Sequence, residues 1–151
     1  MGAEPWIYFV PHQSDIHTAM EQLQFEVFAT ASYRHSEKSP RSIDEARAIA
    51  AEEGTASILD MYDIADGPLE QRGDGEPSDF DMEMQAETMG RVHRLEARDL
   101  KELFGTAQPS RQMVEENRKF YEWLDRGVGL YIVIYADGKP TEICFAGYSF
   151  D

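Results

Sequence analysis

The sequence predicts an α+β architecture over residues 1–151: an antiparallel sheet of about four or five strands, helices packed mainly on one face, and a C-terminal hairpin at its centre. Three observations carry this reading. Leu130 to Tyr135 is apolar at successive positions, Asp137-Gly138 behind it is a hairpin-turn dipeptide, and Thr141 to Tyr148 returns. Ile16, Met20, Leu23 and Val27 recur at helical spacing. Strand-like and helix-like segments alternate along the chain without internal repeats.

In chain order, Trp6 to Val10 is a short apolar strand ended by Pro11, and Ser14 or Asp15 is placed to cap the helix that follows, from about Asp15 to Ser32. A polar stretch, Tyr33 to Arg41, links to a second helix. Ser42-Ile43-Asp44-Glu45 has the S-x-x-E form of a capping box, and Gly54 supplies a C-terminal stop. Ser57 to Tyr62 reads as the next strand.

The stretch 66–79 contains Gly67, Pro68, Gly73, Gly75 and Pro77, which break both helix and strand, so an exposed acidic loop is expected there. Phe80, Met82 and Met84 then alternate with Asp81, Glu83 and Gln85, as in a half-buried strand continuing toward Leu95 with a bulge at Gly90. Ala97 to Phe104 reads as a short helix closed by Gly105. Pro109 opens a longer one, with Met113, Asn117, Phe120, Tyr121 and Leu124 along one side and Gly127 as its stop.

Charge is distributed unevenly. The segment Asp60 to Glu87 holds ten carboxylates against the single base Arg72, and so carries -9 of the chain's net -15. Such a concentration steers cationic partners and disfavours phosphate backbones and anionic membranes, so neither nucleic acid nor membrane is an expected target. The longest apolar run, Leu130 to Ala136, is far too short to span a bilayer. With one cysteine, Cys144, and no basic region leading into an apolar stretch at the start, the expected compartment is the reducing cytoplasm. Met1-Gly2 is not a myristoylation signal, because Trp6 stands where Ser or Thr is required.

No catalytic motif emerges. The closest pair among His12, His17, His35 and His93 is spaced i, i+5, unlike the i, i+4 pair that aims two imidazoles from one helical face. Asp79, Asp81 and Glu83 alternate and could offer oxygen ligands to Ca²⁺ or Mg²⁺, but the glycine and terminal glutamate of an EF-hand loop are missing, so a solvated acidic face is the favoured reading. Cys144 falls in an apolar strand, which suits an inert thiol better than a nucleophile, and no G-x-S-x-G elbow occurs. Gly127-Val128-Gly129 follows a helix and precedes a strand, the reverse of a dinucleotide fingerprint. No cofactor is expected.

Several phrases carry a resemblance: Ser42-Ile43-Asp44-Glu45-Ala46, Glu53 to Asp60, Glu102-Leu103-Phe104-Gly105-Thr106 with Pro109, Met113 and Val114, and the run from Ile132 to Gly138 through Phe145 to Asp151. Together they resemble a family of uncharacterised bacterial proteins, over most of the chain apart from the acidic loop. The resemblance implies a single-domain bacterial cytoplasmic protein. It implies no activity.

The expectation that follows is a non-enzymatic binding protein that presents residues 60–87, and Asp74, Glu76, Asp79, Asp81 and Glu83 in particular, to a basic protein surface. An immunity protein or an inhibitor of a nucleic-acid-processing toxin fits, because such a toxin carries a positive substrate cleft. The alternative is a small enzyme or ligand-binding domain with an aromatic pocket near Tyr131, Tyr135 and Tyr148. A third reading makes the acidity merely solubilising. Oligomeric state is open.

Overall fold

A computed structural model describes residues 4–30, 41–53, 55–69, 90–124 and 126–149. The alternating apolar segments assemble into a five-stranded sheet in the order β1-β5-β4-β3-β2. Its strands are β1 (Pro5–Pro11), β2 (Asp63–Pro68), β3 (Arg91–Arg94), β4 (Gly129–Ala136) and β5 (Lys139–Tyr148). The hairpin β4–β5 is central, as expected, with Asp137 (φ 54°) and Gly138 (φ 77°) both in the left-handed region that a tight turn of this type needs. β1 and β4 each pair antiparallel with β5, whereas β3 pairs parallel with β4 and with β2. The fold is therefore α+β with a mixed sheet, which corrects the expectation of antiparallel pairing throughout.

Helices cover both faces, and this corrects the expectation of cover mainly on one. Side chains alternate across the strands, so Trp6, Tyr8, Val10, Ile143 and Phe145 face one way while Ile7, Phe9, Cys144 and Ala146 face the other. The first set packs beneath α1 (Ile16–Ala29) and α2 (Ile43–Glu53), together with a 3₁₀ turn at Ile58–Asp60. The second packs beneath α3 (Ala97–Phe104), α4 (Arg111–Glu116) and a 3₁₀ segment at Lys119–Trp123. Phe120, Leu130, Ile143 and Phe145 are fully buried, and each contributes roughly 1.5–3 kcal/mol of hydrophobic stabilisation.

Local chemistry sets the helix ends. The Asp15 carboxylate accepts the Thr18 amide at 3.2 Å and caps α1, and that bond holds its carboxyl below the ordinary range. At α2 the Ser42 hydroxyl accepts the Glu45 amide at 3.2 Å, while the Glu45 carboxylate reaches back to the Arg41 amide at 2.7 Å, one residue earlier than in a standard capping box. α3 ends at Gly105 in the left-handed conformation, as the sequence predicts.

The helix expected from Pro109 onward is broken in two. Asn117 leaves the helical region (φ -127°, ψ 98°), because its side-chain Nδ2 donates to the Leu103 carbonyl at 2.6 Å and its side-chain Oδ1 accepts the Lys119 backbone amide at 3.2 Å. The buried contact on α4 is accordingly Val114, and Met113 is exposed. Ser57 to Tyr62, expected as a strand, holds the 3₁₀ turn; the strand begins at Asp63 and takes in Asp66, Gly67 and Pro68, where the sequence predicts the start of the loop. The remainder of that loop and the expected strand at 80–89 lie outside the described residues.

Candidate functional site: the root of the acidic segment

The acidic segment leaves the described fold after β2, the end strand of the sheet, and re-enters it ahead of β3, the strand beside it. Because β2 and β3 run parallel, the chain departs from one end of this strand pair at Leu69 and returns at the other at Gly90. Both points are tied to the sheet. The Leu69 amide donates to the Arg94 carbonyl at 2.7 Å, and the Gly90 amide donates to the Gly127 carbonyl at 2.6 Å. Gly90 also accepts the Tyr62 amide at 2.8 Å, in a left-handed conformation (φ 77°) with the Tyr62 ring packed where a Cβ would stand. Gly90 is thus a tight entry to β3, and the bulge expected there is not what its conformation serves.

The turn ahead of β2 is held from within by polar side chains. Gln24, buried on α1, donates through Nε2 to the carbonyls of Ile58 (3.0 Å) and Met61 (2.7 Å), and its Oε1 accepts Arg47 Nη2 from α2 at 2.8 Å. Asp60 is only 4% exposed: its Oδ1 accepts the Thr55 amide at 2.7 Å and the Thr55 hydroxyl at 2.8 Å, and that hydroxyl lies 2.6 Å from the Ser57 hydroxyl. Burial pushes the Tyr8 hydroxyl pKa up, and the nearby Asp60 carboxylate pushes the same way, while the Ile58 backbone and Ser57 pull against them. Asp60 is therefore a structural acid and leaves the set of carboxylates offered to a partner. Asp63 accepts the Ile64 amide at 2.8 Å and stands 3.8 Å from His17 Nδ1, with half of its side chain exposed.

Asp74, Glu76, Asp79, Asp81 and Glu83 lie outside the described residues, and so do the three weak metal candidates among them. Among the described residues, no group of three or more His, Cys, Asp or Glu side chains is arranged to hold a metal ion. No described helix is long and apolar enough to cross a membrane.

The aromatic pocket does not assemble from its named tyrosines. Tyr131 pairs across the hairpin with Phe145, their rings 6.3 Å apart, and packs on the face covered by α1 and α2. Tyr148 lies three residues beyond Phe145 on β5, an odd step, and so points to the opposite face, where its ring meets Tyr121 at 5.3 Å. Tyr135 follows a register shift and belongs to neither core cluster; its amide donates to the Pro109 carbonyl at 2.9 Å. Cys144 is fully buried, and desolvation raises its thiol to about 12, so almost no thiolate exists at neutral pH.

Gln24, Thr55 and Ser57 carried no signal in the sequence, since isolated polar residues in a helix or loop look solvent-facing until the chain is folded around them. No protein-family model, curated protein or solved structure matches the chain, so the functional reading rests on its own residues.

Proposed function

We propose that the protein is a non-enzymatic binding module that presents the acidic segment between β2 and β3 to a basic protein surface, in the manner of an immunity protein or inhibitor. One observation carries the reading: residues 70–89 hold seven carboxylates and only Arg72 as a base, and they are spliced between two hydrogen-bonded anchor points, Leu69 after β2 and Gly90 before β3. A rigid root of this kind supports a field that attracts cations without involving the core in recognition. The internal hydrogen bonds of Asp60 narrow the partner-facing set to acids beyond the turn, with Asp74, Glu76, Asp79, Asp81 and Glu83 at its centre.

The test is quantitative affinity purification with the parent and with a variant carrying Asp74→Asn, Glu76→Gln, Asp79→Asn, Asp81→Asn and Glu83→Gln. Basic proteins retained by the parent at low salt should be lost from the variant, and both should release them at high salt. Equal recovery by the two proteins at low salt would contradict the reading.

A further inference from the structure

We draw no further inference here: the strongest candidate, the uncharged outer edge of β1 at Ile7 and Phe9, is an end strand of the sheet, and nothing in the structure shows what covers it.

Discussion

Replacing Gln24 with leucine removes the polar clamp that holds the turn before β2 while keeping side-chain volume nearly constant. Three bonds disappear: two from Nε2 to the Ile58 and Met61 carbonyls, and one from Arg47 Nη2 to Oε1. Their costs differ. The Ile58 carbonyl keeps a bond from the Met61 amide at 3.0 Å, so its loss is limited to about 1 kcal/mol. The Met61 carbonyl loses the Gln24 bond in a buried position, at about 1–2 kcal/mol, and the Arg47 guanidinium, whose Nε has no hydrogen-bond partner, loses a further contact worth about 1 kcal/mol. The sum is roughly 3 kcal/mol, reduced slightly by the apolar gain of leucine. Urea denaturation should show the midpoint lowered by about 1–2 M with an unchanged slope. Gln22→Leu, at an exposed position two residues away, should shift stability by less than about 0.5 kcal/mol. A loss below about 1 kcal/mol for Gln24→Leu would refute the clamp.

Gly90→Ala should destabilise by about 1–3 kcal/mol, because the positive φ and the Tyr62 ring both oppose a Cβ; adding Tyr62→Ala should relieve the steric part in a double-mutant cycle by thermal melts. Native Cys144 should resist thiol reagents until denaturant is added. With its folded pKa raised from 9.0 to about 12, the protein binds the proton more tightly when folded, so stability should fall as pH rises between those values, and Cys144→Ala should flatten that slope in alkaline denaturation curves. Millimolar Ca²⁺ or Mg²⁺ should raise the melting temperature slightly and alike, through screening of repulsion; a large ion-selective shift abolished by Asp81→Asn would show a metal site at Asp79, Asp81 and Glu83.

Elements with local chemical punctuation were legible in the sequence. The hairpin declared itself through Asp137-Gly138, α2 through its capping box and α3 through Gly105, because each depends on residues within a few positions of one another. Features set by distant partners were not. Ser57 to Tyr62 has strand-like composition, yet Gln24 captures two of its carbonyls and Thr55 and Ser57 turn it around Asp60, so it curls into a 3₁₀ turn. β2 was hidden because an outer strand tolerates Gly67 and Pro68, residues that elsewhere break strands. Parallel pairing of β2, β3 and β4 was equally invisible, since strand direction depends on where connecting segments cross.

Cover on both faces was implicit in Leu130 to Tyr135, which is apolar at every position; the expectation of helices mainly on one face overlooked that consequence. The aromatic pocket failed by strand parity. Tyr131 and Tyr148 can be assigned to faces only once Tyr131 is known to pair with Phe145, and a tyrosine three residues on from that partner must lie on the far side. For the acidic segment the sequence revealed the charge, and the structure supplied its two anchor points and removed Asp60 from the exposed set.

The most direct test of the account is the association rate of the purified protein with a basic partner recovered at low salt, measured by stopped flow across ionic strength for the parent and the five-substitution variant. The account predicts a parent rate that falls steeply with salt, a slower and flatter rate for the variant at low salt, and convergence of the two near 1 M, where the screening length is only about 3 Å. Equal rates at low salt would contradict it, because the acids between β2 and β3 would then contribute nothing to the encounter.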